Sequence, residues 1–144
     1  MVTAGRQDDT QVEERLAEER LAEQRPVAPA RILVVEDESL IRMLLEDMLA
    51  DLGHEVAATA ASVGAAKQLA STGAFDAAIL DVNLEGQEVF PVAEILAGRG
   101  LPFIFASGYG HAALPEPFRD RPTLQKPFQA AQLEAALNRL LQTA

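Results

Sequence analysis

The sequence predicts an α/β fold: a doubly wound, five-stranded parallel sheet flanked by about five helices. From Arg31 onward, short apolar runs rich in β-branched residues alternate with longer segments of helical period, which is the pattern of a parallel sheet covered on both faces. Apolar residues make up 49% of the 144 residues, enough for one buried core. Polar side chains directly follow several of the apolar runs. These three observations favour one doubly wound domain.

Apolar spacing and glycine define the first half of this fold. The first predicted helix carries Leu40, Met43, Leu44 and Met48 and stops at Gly53, a residue type that favours a helix C-cap. An alanine-rich helix ends in the same way near residue 73. In chain order, the elements are a strand over residues 32–35, a helix over 39–52, a weaker strand over 54–59, a helix over 62–70 and a strand over 75–80.

The second half has the same alternation with more turn residues. Phe103 and Phe105 stand two apart in a buried run and are predicted to be core. The glycine- and proline-rich residues 107–117 leave room for a short helix at most. The elements are a loop over residues 81–87, a helix over 88–97 closed by Gly98 and Gly100, a strand over 101–106, a strand over 121–125 and an amphipathic helix over 130–141.

Residues 1–30 differ in composition from the rest of the chain. They are rich in Glu, Arg, Gln and Ala and close with Pro26-Val27-Ala28-Pro29, which prevents a helix from running onward. Val12, Leu16 and Leu21 do not form one apolar stripe, so a coiled coil is not favoured. We predict an N-terminal extension over residues 1–30, helical or disordered, and a folded domain over residues 31–144.

Charge and composition exclude several classes of function. The formal net charge is −10, and no basic patch offsets it, so direct nucleic-acid binding is not expected. The chain has no cysteine, which rules out disulfides, thiolate metal sites and a cysteine nucleophile. Neither a signal-peptide segment nor an uncharged apolar run of about 20 residues is present. We therefore expect a cytoplasmic protein that does not insert into a membrane.

Candidate functional residues follow the predicted strands. In doubly wound sheets, ligands sit outside the carboxyl ends of the strands, so these residues are expected to converge. Three carboxylates brought together repel one another, and a divalent cation with oxygen ligands relieves that repulsion. The residues are Glu36 and Asp37 after the first strand, Asp81 after the third, Ser107 after the fourth and Lys126 with Pro127 after the fifth.

Magnesium suits this set of oxygen ligands. Asp37, Asp81 and the backbone carbonyl of Asn83 would hold the ion, and Glu36 would act through water. A carboxylate beside such a cation can attack a phosphoryl group, because the reaction needs mainly positioning and charge neutralisation. Lys126 would add positive charge to the bound group. The hydroxyl of Ser107, following the fourth strand, would donate to a phosphate oxygen and move the loop after it.

Three stretches carry a resemblance to a known family. The sequence resembles a response-regulator receiver domain, of the flavodoxin-like fold shared with the chemotaxis regulators, over residues 31 to about 142. The stretches stand in the family's order: Ile32-Leu33-Val34-Val35-Glu36-Asp37-Glu38, Ala78-Ile79-Leu80-Asp81-Val82-Asn83-Leu84 and Leu124-Gln125-Lys126-Pro127-Phe128. The resemblance implies roles for matching positions: Asp81 as phosphoacceptor, Glu36 and Asp37 as the acidic pair, Ser107 as switch hydroxyl, Lys126 as the site lysine and Pro127 as a cis proline.

A narrower resemblance lies around the fourth strand. Pro102-Phe103-Ile104-Phe105-Ala106-Ser107-Gly108-Tyr109 is similar to the PFxFATGY branch of receivers, with Ser in place of Thr. The position three before the lysine, where most receivers have an aromatic switch residue, is Thr123, and Tyr109 is a candidate substitute. The branch implies a signalling surface formed by the loop over residues 107–117 and its neighbours, with Gly108, Tyr109 and Pro127 as switch or interaction residues. It also implies an upstream kinase of the HWE or HisKA2 type, as known in alphaproteobacterial signalling.

The predicted function is that of a single-domain response regulator. It would accept a phosphoryl group on Asp81 from a histidine kinase or phosphotransfer protein and signal by protein–protein interaction, without being a turnover enzyme. One alternative is a magnesium-dependent phosphohydrolase, although Asn83 stands where such enzymes place an acid. A second alternative is a pseudo-receiver that binds a partner without phosphorylation. The two histidines, His54 and His111, are expected at the surface and outside the site.

Overall fold

The computed structural model describes residues 10–18, 27–109 and 114–143. Residues 10–18 form a helix, α1. The predictions made for His111 and for residues 1–9 and 19–26 of the N-terminal extension lie outside the described residues. In the described part of the chain, no helix is long and apolar enough to cross a membrane. The strands are β1 (Arg31–Val35), β2 (Glu55–Ala60), β3 (Ala77–Asp81), β4 (Asn83–Leu84), β5 (Gln87–Glu88), β6 (Phe103–Ser107) and β7 (Thr123–Gln125).

Five strands form a parallel sheet in the order β2-β1-β3-β6-β7. This is the predicted doubly wound sheet. The strand order reverses between β1 and β3, and in such sheets that point is where ligands bind. The helices that accompany the sheet are α2 (Ser39–Asp51), α3 (Val63–Thr72), α4 (Phe90–Gly98) and α5 (Ala130–Thr143), with a 3-10 turn at Glu116–Phe118.

Two apolar layers cover the two faces of the sheet. Helices α2 and α5 pack on one face and helices α3 and α4 on the other. Successive strand residues point to opposite faces, so neighbours such as Ile32 and Leu33 belong to different layers. Phe103 and Phe105 are fully buried, which confirms their predicted place in the core.

Helix α2 buries a different face from the one that its named apolar residues suggest. Leu45 and Leu49 are its buried residues, whereas Leu40, Met43 and Leu44 are exposed. The predicted stop is confirmed: Gly53 has a φ of 88°, and its N–H donates to the carbonyl of Ala50 at 3.0 Å. A left-handed φ of this kind favours glycine.

The predicted loop over residues 81–87 is wrong in part, because a small hairpin forms there. Strands β4 and β5 pair antiparallel, and the two residues between them, Glu85 and Gly86, have φ values of 51° and 84°. Positive φ at both positions is the geometry of a type I′ hairpin turn. Two-residue strands are too short to produce an alternating pattern in the sequence. Helix α4 consequently begins at Phe90, two residues later than predicted.

The surface placement predicted for His54 is also wrong. His54 is only 8% exposed, and its Nδ1 accepts a hydrogen bond from the backbone N–H of Ala30 at 3.1 Å. It lies just before β2, at the edge of the sheet opposite the carboxyl ends of the strands. Burial lowers the pKa of His54 below its ordinary value of 6.5. A neutral imidazole is thus used here as a structural acceptor.

Candidate functional site

The carboxyl ends of β1 and β3 bring three acids together. Val35 of β1 pairs with Leu80 of β3, so the residues that follow, Glu36 and Asp37 on one strand and Asp81 on the other, meet at the same edge. Each carboxylate offers one oxygen, and these three oxygens all lie within 4.8 Å of one another. The convergence predicted from the strand ends is therefore present.

Glu36 is the most deeply buried acid, with 1% of its surface exposed. Its Oε1 lies 2.6 Å from Nζ of Lys126, and its Oε2 accepts from the N–H of Glu38 at 3.2 Å. The hydrogen-bonding capacity of this buried carboxylate is used by partners within the fold. Glu36 thus orients the lysine.

Lys126 enters the site from the end of β7. Its backbone N–H donates to the carbonyl of Ser107 at 2.9 Å, and its Nζ also lies 3.4 Å from Oδ2 of Asp81. Burial lowers the pKa of Lys126, but the Glu36 and Asp81 carboxylates outweigh that effect and hold it above its ordinary value. The bond between Lys126 and Pro127 is cis, as the resemblance implied.

Asp37 is held by the hairpin that the sequence did not reveal. The N–H of Glu85, in the tight turn between β4 and β5, donates to Oδ2 of Asp37 at 2.9 Å. Burial raises the pKa of Asp37, but this bond and further hydrogen bonds, including those with Glu36 and Asp81, leave it below its ordinary value. Asp37 is therefore ionised at neutral pH and half-buried at the mouth of the site.

Asp81 is the acid with the largest perturbation. Burial raises its pKa, as do a hydrogen bond with Glu36 and the charge of Glu36, while Lys126 and the N–H of Asn83 lower it, and the net pKa is about 7. The Asn83 N–H donates to Oδ1 of Asp81 at 3.3 Å. The charge of one ammonium thus does not compensate the negative charge gathered around Asp81.

The donor set fits a divalent cation with hard oxygen ligands. Three clustered carboxylates share one ammonium, which lies 2.6 Å from Glu36 and 3.4 Å from Asp81, and Mg²⁺ relieves the repulsion in such an environment. Glu36 is held by its partners at 2.6 and 3.2 Å, whereas the contacts of Asp81 are longer, at 3.3 and 3.4 Å. Asp37 and Asp81 are therefore the more available ligands. Asn83 uses its side-chain Oδ1 to accept from Gly86 at 2.9 Å, as expected of a turn residue.

A small cavity connects Asp81 to the end of β6. It has a volume of about 280 Å³, and Asp81, Phe90, Ser107 and Tyr109 are among the residues that line it. Ser107 is 3% exposed, and its Oγ accepts from the N–H of Tyr109 at 3.0 Å. The ring of Tyr109 is 82% exposed. The serine thus stands at the cavity wall with its hydroxyl hydrogen available to a new acceptor.

Sequence reasoning missed two residues of this site, Glu85 and Phe90. Glu85 contributes only its backbone N–H, which any residue other than proline could supply, so its side chain gives no signal. Phe90 resembles an ordinary helix residue of the core. The Glu85-Gly86 pair was the available clue, because glycine in a short polar stretch is typical of a tight turn.

Comparisons with known proteins identify the family of the chain. The sequence matches the family described as response regulator receiver domain over residues 32–138. It is 34% identical over 113 residues to the transcriptional regulatory protein PdtaR of Mycobacterium tuberculosis, with 76% of this chain and 55% of that protein covered. The phyllosphere-induced regulator PhyR of Methylorubrum extorquens is 34% identical over 117 residues, with 76% and 43% covered. The chain thus spans about half the length of these curated relatives.

Solved structures of similar length also match. The solution structure of SdrG from Sphingomonas melonis Fr1 is 47% identical, has a TM-score of 0.71, and covers 80% of this chain and 98% of its own. The BeF3-activated conformation of SdrG is 49% identical, has a TM-score of 0.64, and covers 75% and 95%. With the family match over more than half of its length and the acid cluster at the carboxyl ends of its strands, this chain belongs to the response regulator receiver domain family.

Proposed function

We propose that this protein is a response regulator that accepts a phosphoryl group on Asp81 and signals through protein partners. The observation that carries the proposal is the position of Asp81, whose Oδ2 lies 3.4 Å from Nζ of Lys126 within a cluster of three carboxylates. One oxygen anchored by a hydrogen bond and a fixed ammonium beside the other form a site for an incoming anionic group.

The reaction is an in-line displacement at phosphorus. A carboxylate oxygen of Asp81 forms a bond to phosphorus, and the bond from phosphorus to the donor breaks, so that a phosphohistidine imidazole or an acetate leaves. Lys126 neutralises charge on the transferred group, and the Ser107 hydroxyl donates to one of its oxygens. Glu36 fixes the ammonium of Lys126 by its bond at 2.6 Å.

Asp37 and Asp81 would hold a magnesium ion, with the backbone carbonyl of Asn83 as a further ligand and Glu36 acting through water. When bound, Mg²⁺ neutralises charge on the phosphoryl oxygens and favours the ionised form of Asp81, whose pKa is about 7 without it. The Glu85 N–H, by holding Asp37, keeps that carboxylate oriented in the site.

Protein partners fit the surface beside the site. Lys126 lines an apolar groove together with Pro127, Phe128 and residues of α2, among them the exposed Leu44. Leu40 and Met43 are exposed on the same helix. Exposed apolar surface of this kind marks protein interaction sites. We propose as phosphodonor a sensor histidine kinase, of the HWE or HisKA2 type, or a phosphotransfer protein. Such a donor acts in the cytoplasm, and a separate protein is the target.

The test uses acetyl phosphate, Mg²⁺ and intact-mass spectrometry. The wild-type chain should gain one phosphoryl group and lose it slowly by hydrolysis. Asp81→Asn should gain none, because the attacking carboxylate is absent. Asp51→Asn is the matched control: it makes the same change at an exposed residue at the end of α2 and should be phosphorylated like the wild type.

Other outcomes point to other functions. Phosphorylation of Asp81→Asn to the wild-type extent would contradict the assignment of the acceptor. Sustained hydrolysis of an unrelated phosphate ester would favour a phosphohydrolase. A wild-type chain that never gains mass and that binds its partner as tightly as Asp81→Asn does would favour a pseudo-receiver.

A further inference from the structure

We infer that the stacked rings of Phe90 and Phe118 transmit occupancy of the Asp81 site to the segment before β7. This inference rests on the proposed function, because it assigns a path by which phosphorylation of Asp81 reaches the surface. Thr123 stands three residues before Lys126, where most receiver domains have an aromatic switch residue. Its side chain has no ring, and its hydroxyl donates to the carbonyl of Arg121 at 3.2 Å.

Phe90 is coupled to the site in two ways. Its half-buried side chain lines the cavity that Asp81 and Ser107 also line. It also follows Val89, whose N–H donates to the carbonyl of Val82 at 2.9 Å, and Val82 is the residue after Asp81. A shift of the backbone after Asp81 thus acts on the first residue of α4.

Phe118 receives that shift by direct ring contact. The rings of Phe90 and Phe118 are stacked, with centroids 5.9 Å apart and planes at 16°. Phe118 also packs edge-on against Phe105 at 5.7 Å and Phe103 at 6.3 Å, and it is only 6% exposed. Phe118 is held by these neighbours in a close-packed interior, so movement of Phe90 toward or away from the cavity changes the contact on which the packing of Phe118 depends.

Phe118 belongs to the segment that leads into β7. It ends the 3-10 turn at Glu116–Phe118, and the N–H of Arg121 donates to its carbonyl at 3.0 Å. The Arg121 guanidinium lies 4.7 Å from the centroid of the Phe103 ring. Repacking of Phe118 would therefore move residues 119–121, which are at the surface.

A simple core role for these phenylalanines predicts something different. Loss of a core ring lowers stability, but it leaves the response to phosphorylation unchanged wherever the protein remains folded. A positioning role predicts that, when either ring is removed, the residues around the cavity still respond to occupancy of the Asp81 site, whereas residues 119–121 respond less. A measurement at the cavity and another at residues 119–121 therefore distinguish a core role from a positioning role.

The experiment follows backbone amide resonances on addition of Mg²⁺ and BeF₃⁻, a phosphoryl analogue. In the wild type, resonances at Val82 and Ser107–Tyr109 and at residues 119–121 should both shift. In Phe118→Leu the shifts at Val82 and Ser107–Tyr109 should persist, while those at 119–121 should fall at least about twofold. Phe90→Leu breaks the same stack from its half-buried side, and the double variant should lose no more than either single one.

Phe75→Leu is the matched control. It removes a ring from the same apolar layer, but that ring faces the Arg99 guanidinium between α3 and α4. Undiminished shifts at 119–121 in both Phe90→Leu and Phe118→Leu would overturn the inference, as would an equal loss in Phe75→Leu. If wild-type residues 119–121 do not shift although Asp81 gains a phosphoryl group, the inference fails and the proposed function stands. If Asp81 gains none, both fail.

Discussion

The two ends of the central sheet use buried polar groups in opposite ways. At the carboxyl ends of the strands, three carboxylates meet one ammonium, so the formal charge is unbalanced. At the other end, the buried, uncharged Nδ1 of His54 accepts from the N–H of Ala30 at 3.1 Å. There, a neutral acceptor has its donor and no charge is left unbalanced.

This difference in charge balance distinguishes a functional end of the sheet from a structural one. A balanced, hydrogen-bonded polar group stabilises a fold and asks for no further ligand. Unbalanced charge in a partly buried cluster destabilises the fold unless a cation or a reacting group completes it. The carboxylate end is therefore set to bind and react, whereas the histidine end joins the chain entering β1 to β2.

Removing the ammonium would test the reactive end most strongly. In Lys126→Met we expect the rate of phosphorylation by acetyl phosphate to fall about 100-fold, because the ammonium that neutralises negative charge on the transferred phosphoryl group is lost. Intact mass followed over time gives the rate. Lys67→Met changes an exposed lysine on α3 and should leave the rate unchanged. A rate for Lys126→Met equal to the wild-type rate, in a folded protein, would show that this charge is not used.

Supplying the missing positive charge should stabilise the fold by a smaller amount. At ten times its measured Kd, Mg²⁺ should raise the free energy of unfolding by about 1.4 kcal/mol over a sample in EDTA. Urea unfolding measures this increment. Asp37→Asn should lose most of it because a ligand is removed, while Asp120→Asn, at an exposed position, should keep it. An undiminished increment in Asp37→Asn would place the ion elsewhere.

The sharpest contrast between the two ends is the pH dependence of stability without metal. The folded pKa of Asp81 is raised from 3.8 to about 7, so its contribution is full below 3.8 and is lost as pH rises through about 7. The pKa of His54 is lowered from 6.5, so its contribution is present above 6.5 and is lost as pH falls through the folded pKa. The two ends should respond to acid with opposite signs.

Unfolding free energies of variants, measured in EDTA at several pH values, isolate each sign. The wild type minus Asp81→Asn difference should grow as pH falls below about 7. The wild type minus His54→Gln difference should shrink as pH falls below about 6.5, since glutamine keeps an uncharged acceptor and does not titrate. Two differences with the same sign would remove the contrast between the ends.

The features that could be predicted from the sequence are those that leave a local pattern of residue types. The strands and helices of the sheet were predicted because apolar periodicity is local, and the helix stop at Gly53 was predicted because glycine marks a C-cap. The three clustered acids and Lys126 were predicted because the pattern of a strand also shows where the strand ends, and these residues directly follow the strand ends. The hairpin of β4 and β5 was missed because two-residue strands are too short to show an alternating pattern. The burial of His54 was missed because no sequence pattern around a single histidine distinguishes a buried one from an exposed one.

By itself, the sequence determined the doubly wound sheet and which chemical groups stand at its carboxyl edge, because parallel strands place their ends together whatever their register. Only the tertiary structure decided the contacts across long stretches of chain: Glu36 on Lys126, the Glu85 N–H on Asp37 and Phe90 on Phe118. These contacts depend on strand register, turn geometry and ring packing to within about an ångström, and no pattern of residue types along the chain encodes distances of that size.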